Sequence, residues 1–201
     1  MIAAKNHGIS ISTCVGANAE AVAEYTWAMI LNLAKKLGQI DKNVRQPSQL
    51  KYDLQGIELA KKTIGILGTG NIGVKVAQIA KAFGMLVLGF NKSKSPTRCF
   101  DQIVNLETLL KNSDVISVHL PLTPETGGLI GKKEISLMKH GVIVINTARE
   151  KIVNKQAVIE GIHQGKIYGY GLDADISSPA PSKNPYLRYK NILITTHNGF
   201  N

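Results

Sequence analysis

Two cysteines in 201 residues, Cys14 and Cys99, are too few and too far apart for a disulfide framework or a metal site. They fit a reduced, cytoplasmic setting. Aromatic residues are scarce at 5%, which leaves no stacking array for single-stranded nucleic acid. No apolar run approaches the roughly 18 residues that cross a bilayer. Met1 to His7 lacks the charged-then-apolar form of a signal peptide. Acidic residues are outnumbered, 14 against 24 Lys and Arg, for a formal net charge of +10. The cations are scattered, paired at most as Lys35-Lys36, Lys61-Lys62 and Lys132-Lys133. That pattern offers no basic block for nucleic acid or a membrane surface. There is no fixed-period repeat and no low-complexity tract. What is present, 44% hydrophobic and 19% charged residues, is the composition of a folded domain able to bury a sizeable core.

Residues 9–12 read as a short strand. Asn18 is placed to cap a helix over 18–37, with Glu20 in its first turn. That helix is apolar on more than one side, with Val22, Met29 and Leu33 on one and Ala23, Trp27, Ile30 and Ala34 on another. A helix apolar nearly all round is buried on several sides. It carries more apolar surface than one contact face covers, which predicts a homodimer built on it. The polar stretch 39–62, with Pro47 and Gly56, reads as a loop or arm, making 18–60 a dimerisation and arm region.

From Thr63 strands and helices alternate. The pattern predicts strands over 63–67, 85–90, 114–119, 142–146, 168–173 and 192–195. Helices are predicted over 71–83, 106–111, 131–139 and 154–164. The strands are continuous apolar runs, such as Val142-Ile143-Val144-Ile145, which suits parallel strands covered on both faces. Repeated βα units of this kind predict an α/β fold, one domain over 1–201 with a doubly wound parallel sheet.

Gly68-Thr69-Gly70-Asn71-Ile72-Gly73 is a G-x-G-x-x-G run between a strand and a helix. The first glycine allows the tight turn. The second lets the backbone approach a pyrophosphate, and the third lets helix and strand pack. The helix N-terminus offers free N–H groups to the phosphates. An acid about 20 residues on would bind the adenosine ribose hydroxyls. The chain has Asn91-Lys92-Ser93-Lys94 there. An amide does not repel a 2′-phosphate, and Lys92, Ser93 and Lys94 can contact one, so the residues lean to NADP over NAD.

Further segments fall at strand C-termini, where such sheets bind ligands: Ser117 to Thr123, Ile145-Asn146-Thr147-Ala148-Arg149, Gly171-Leu172-Asp173, and Leu193 to Asn198. With the glycine loop, their order resembles the nucleotide-binding domain of the D-isomer-specific 2-hydroxyacid dehydrogenases. The likeness runs from Asn6-His7-Gly8-Ile9 and Ala21-Val22-Ala23-Glu24 to His197. It implies a Rossmann-type domain and hydride transfer between a nicotinamide cofactor and a 2-oxo or 2-hydroxy acid. Arg149, the one arginine in these segments, has a planar fork suited to a carboxylate and carbonyl. His197 can carry the proton, since imidazole titrates near neutrality. By resemblance Thr147 and Asp173 face the nicotinamide, and His119 and Pro121 line the cleft. Thr126, Ala148 and Gly199 join the cofactor set. His7, His140 and His163 are read as structural.

Three departures bear on activity. Family members have a glutamate that orients the histidine, and Ser178 stands there in Asp173-Ala174-Asp175-Ile176-Ser177-Ser178-Pro179. Serine cannot supply the charge that stabilises imidazolium, and Asp175 is off the family spacing. Glu150 replaces a glycine beside Arg149, where a carboxylate competes with an anionic substrate for the guanidinium unless it points away. Family members also carry a second domain, largely an N-terminal segment of about a hundred residues, and this chain is expected to lack it. Two readings result: an NAD(P)-dependent dehydrogenase with weak or no turnover, or a non-catalytic dinucleotide-binding module, as a sensor or the subunit of a split enzyme. A third, a hydrolase of adenosyl compounds on a similar fold, is opposed by Asn146-Thr147-Ala148-Arg149.

Overall fold

The structure is a computed structural model that describes residues 6–10, 12, 14, 16–46, 54–91, 98–173 and 184–200. Strands β1 (Thr63–Leu67), β2 (Leu86–Phe90), β3 (Gln102–Ile103), β4 (Val115–Val118), β5 (Val142–Asn146), β6 (Ile167–Asp173) and β7 (Ile192–Thr195) form one sheet. Its order is β3-β2-β1-β4-β5-β6-β7, and every pairing is parallel. Among the described residues the main α-helices are α1 (Ala19–Lys35), α2 (Leu37–Arg45), α3 (Asn71–Ala82), α4 (Leu106–Asn112), α5 (Lys132–Leu137) and α6 (Lys155–His163).

The apolar strand runs are explained by two cores. Val142 and Val144 of β5 pack among Leu109, Leu110, Ile135 and Val158, the apolar residues of α4, α5 and α6. Ile143 and Ile145, pointing the other way, pack among Trp27, Ile30, Val76 and Ala80 of α1 and α3. With a period of two and both faces covered, no position from Val142 to Ile145 is left for a polar residue. The chain runs from β1 outward to β2 and β3, then crosses back to β4 on the other side of β1. That reversal opens a crevice at the C-terminal ends of β1 and β4.

Asn105 and Asn154 cap α4 and α6, accepting from Thr108 N and Ala157 N. Asn18 precedes α1 but makes no side-chain cap, contrary to the capping role the sequence suggests. Residues 9, 10 and 12 are not in a strand. The first helix stops at Lys35, because Lys36 adopts the left-handed conformation, φ 56°. A second helix, α2, begins at once at Leu37 and runs on into the stretch from 39 that the sequence reads as loop. Only Leu37, Ile40 and Val44 mark its apolar period, too few to stand out from its polar residues. The two-residue β3 carries no pattern to read. Other boundaries differ by one or two residues, as helix and strand ends do.

The homodimer argument from α1 loses its ground. Val22, Ala23, Trp27, Met29, Ile30, Leu33 and Ala34 are all buried within the chain itself, against α3 on one side and β5 and β6 on the other. Close approach is possible because β6 has glycine where α1 crosses. A Cβ on Gly171 would lie 2.7 Å from Ile145 Cδ1 and 3.2 Å from Met29 Cε.

Candidate functional site

At the crevice the three glycines of the loop have three separate environments. Gly68 has φ +102°, and a Cβ there would lie 2.6 Å from the His119 carbonyl oxygen. A Cβ on Gly73 would overlap the Gly68 carbonyl oxygen, so α3 can seat on the turn only with glycine there. Gly70 is exposed and faces open space, with nothing within 4 Å of its built Cβ. That open face lies at the first turn of α3, where backbone N–H groups lack intrahelical partners. The cradle therefore fits the pyrophosphate of a dinucleotide. Asn71 is exposed, and its amide lies over Gly16. At the β2 end Asn91 donates from Nδ2 to Thr69 Oγ1 at 3.0 Å, which leaves its carbonyl oxygen to accept. Lys92, Ser93 and Lys94 lie outside the described residues, as do Asp175 and Ser178.

Beyond the loop is a cleft of about 520 Å³. It brings together Ile72, His119, Pro121, Thr147, Ala148, Arg149, Asp173, His197 and Gly199, which the sequence had placed in five separate segments. Thr126 is not among its lining. It sits beneath the loop, where its hydroxyl donates to Pro121 O at 2.6 Å and accepts from Thr123 N at 2.8 Å. A larger groove, about 710 Å³, runs between α2 and β7, and its described lining has no histidine and no acid.

Arg149 is held at the end of β5 by Asn146. The buried Asn146 amide donates to the Arg149 carbonyl at 2.9 Å and accepts from Ala148 N at 3.1 Å. The Arg149 guanidinium is exposed, with Nη1 donating to Ala148 O at 2.7 Å. Glu150 does not compete for it. The chain turns into a 3-10 helix over Glu150–Ile152, and Glu150 pairs instead with Lys155 at 2.8 Å.

His197 is positioned through Asp173. One oxygen of this buried carboxylate accepts from Thr195 Oγ1 at 2.7 Å and Asn198 N at 3.0 Å. The other accepts from Gly199 N at 2.9 Å. The segment is thus strapped to the end of β6 with His197 in the left-handed conformation, φ 56°, its ring edge-on to Phe200. Among the described residues no carboxylate pairs with His197.

His119 Nε2 lies 2.8 Å from Ser117 Oγ, and burial pushes the imidazole pKa from 6.5 down to about 3. Its ring is therefore a neutral wall of the cleft near neutral pH. The unfolded chain takes up a proton near pH 6.5 that the folded chain refuses, so this residue lowers stability as pH falls from 6.5 toward 3. His119→Gln should flatten that limb: the loss of unfolding free energy between pH 7 and 4, from urea titrations, becomes smaller than in the parent chain.

Sequence reasoning missed Asn18, Val22, Leu122 and Phe200 as lining residues. Val22 and Leu122 fall inside quoted segments but are apolar and give no sign of a ligand, while Asn18 and Phe200 lie outside them and reach the crevice only through the fold of the 16–22 and 197–200 segments.

Residues 27–199 match the family model described as D-isomer specific 2-hydroxyacid dehydrogenase, NAD binding domain. D-3-phosphoglycerate dehydrogenase of Archaeoglobus fulgidus is 39% identical over 198 residues, 97% of this chain and 38% of that protein. Hydroxypyruvate reductase of Thermotoga maritima is 37% identical over 198 residues, 98% of this chain and 65% of that protein. Among solved structures, an acyclic imino acid reductase in complex with NADPH and D-Arg superposes with a TM-score of 0.88 at 34% identity, covering 100% of this chain and 64% of that one. The chain thus spans between 38% and 65% of the lengths of these proteins.

Proposed function

The chain belongs to the D-isomer-specific 2-hydroxyacid dehydrogenase family, and on that premise we propose that it binds a nicotinamide dinucleotide across the β1/β4 crevice and presents a 2-oxo or 2-hydroxy acid to it. The observation that carries this reading is the open face of Gly70 beside a cleft holding both Arg149 and His197. The bound nucleotide would supply or accept hydride. The protein's part is binding, orientation and proton handling. Gly70 and the first turn of α3 take the pyrophosphate, and Asn91 accepts from an adenosine ribose hydroxyl. Thr147 and Asp173 lie toward the nicotinamide half, since a dinucleotide lies across the switch point. Arg149 holds the acid's carboxylate and polarises its carbonyl. His197 gives or takes the proton at the substrate oxygen.

Asn91 in place of an acid favours NADPH over NADH. The lack of a described carboxylate partner for His197, with Ser178 at the family's glutamate position, favours weak turnover. That same observation supports the second reading, a dinucleotide-binding module without catalysis. Fluorescence titration with NADH and NADPH, followed by glyoxylate and hydroxypyruvate as oxidants, separates the cases. Binding with little oxidation is expected. Failure to bind either nucleotide overturns the proposal, and rapid steady-state turnover overturns its weak-turnover half.

The reading includes a cytoplasmic homodimer. No helix among the described residues is long and apolar enough to cross a membrane. The apolar surface for pairing is the open face of α2 rather than α1: Leu37, Ile40 and Val44 are 55%, 38% and 62% exposed. Sedimentation of Val44→Glu checks it. A dimer that dissociates in the variant supports this surface, and a monomeric parent chain removes it.

A further inference from the structure

Thr26 belongs to no motif. It lies within the apolar helix α1 and is completely buried. Its Oγ1 is 2.7 Å from the Val22 carbonyl oxygen, one turn back, and 3.0 Å from Thr147 Oγ1. The distances alone leave the donor of the second bond open, but proton counting settles it. A hydroxyl has one proton, and a carbonyl oxygen can only accept. The Thr26 proton is therefore committed to Val22. Towards Thr147, Thr26 can only accept, so the Thr147 proton points into the protein at Thr26.

Thr147 also lines the cleft. With its proton turned inward, its hydroxyl shows the cleft lone pairs only. We infer that Thr26 is a positioning residue that makes Thr147 an acceptor-only group, so that this wall of the cleft selects a ligand group carrying an N–H donor. This rests on the dinucleotide reading above, under which the group is the carboxamide NH₂ of the nicotinamide. A threonine left to rotate could donate to a carbonyl as readily as accept from an amine, and would select neither.

The test compares two ligands that differ in that one donor: NADH, and its reduced 3-acetylpyridine analogue, in which a methyl ketone replaces the carboxamide. Affinities are read by fluorescence titration, so no turnover is needed. The parent chain should prefer NADH by about threefold to tenfold, the effect of one neutral hydrogen bond. Thr26→Val keeps the shape of the side chain and removes the acceptor, and the preference should fall to near unity. Thr26→Ser should retain it. Thr147→Val, which leaves α1 untouched, should also abolish it, and this keeps the test intact if Thr26→Val folds poorly. A merely structural Thr26 would weaken both ligands together and leave their ratio unchanged, which overturns the inference. A parent chain that binds both ligands equally overturns it as well, while the dinucleotide reading survives. A parent chain that binds neither overturns the dinucleotide reading, and the inference with it.

Discussion

Trp27→Glu should yield a chain that does not fold, and Trp27→Ala one that folds with a midpoint roughly 10 °C lower, from a loss of about 3–5 kcal/mol. Trp27 is only 3% exposed. Its ring stacks on Phe83 with centroids 4.7 Å apart and planes 6° from parallel. Its Nε1 donates to Val76 O at 3.1 Å. The residue therefore joins α1 to α3, and α3 carries the glycine loop at its N-terminus. A carboxylate in that place would be buried without a partner, a cost that exceeds what a domain of ordinary stability can absorb. Circular dichroism melts of the two variants check this. A soluble, cooperatively folded Trp27→Glu chain would mean that the ring faces outward, as a subunit contact would require.

The second large effect separates two glycines three residues apart. Gly73→Ala should cost about 3 kcal/mol or more, because the methyl group overlaps backbone rather than a flexible side chain, and α3 must lift from the β1 turn. Gly70→Ala should leave stability unchanged or raise it by up to about 1 kcal/mol. Its backbone, φ −79° and ψ −164°, suits alanine, and the methyl meets no protein atom within 4 Å. Yet that methyl fills the space a pyrophosphate needs, so dinucleotide affinity should fall on the order of tenfold or more. Urea denaturation and nucleotide titration of both variants give four readings. A Gly70→Ala chain that binds as well as its parent would place the phosphates elsewhere.

The sheet was legible because parallel strands covered on both faces leave no choice of residue: Val142 to Ile145 can be little else. The turn at the glycine loop was legible for a similar reason, since Gly68 and Gly73 each answer a separate steric demand. Side chains that take their role from a neighbour were not. Glu150 stands beside Arg149 in sequence and reads as its competitor, but a single 3-10 turn sends it to Lys155. Thr126 follows Pro121 by five residues and reads as cleft lining, while its hydroxyl is used in holding the Pro121 carbonyl from below. Thr26 occupies a core position of a helix, so its period gives no hint of a partner 121 residues away. Helix α2 was missed because three apolar residues in nine do not outweigh their polar surroundings.

The strap at Asp173 makes amide hydrogen exchange a direct report on the order of the His197 segment. Asn198 is exposed, and neither it nor Gly199 lies in a strand, so their amides would ordinarily exchange at the rate of an open loop. Both donate to the same buried carboxylate instead. They should exchange slowly, and together, because losing the carboxylate's grip frees both at once. A carboxylate has about four acceptor positions, and Thr195, Asn198 and Gly199 use three of them. A ligand that offers Asp173 one donor can be accommodated with the segment in place. A ligand that offers two must displace one of these three donors, and displacement of a backbone amide rather than the Thr195 hydroxyl would show as faster exchange at residues 198 and 199.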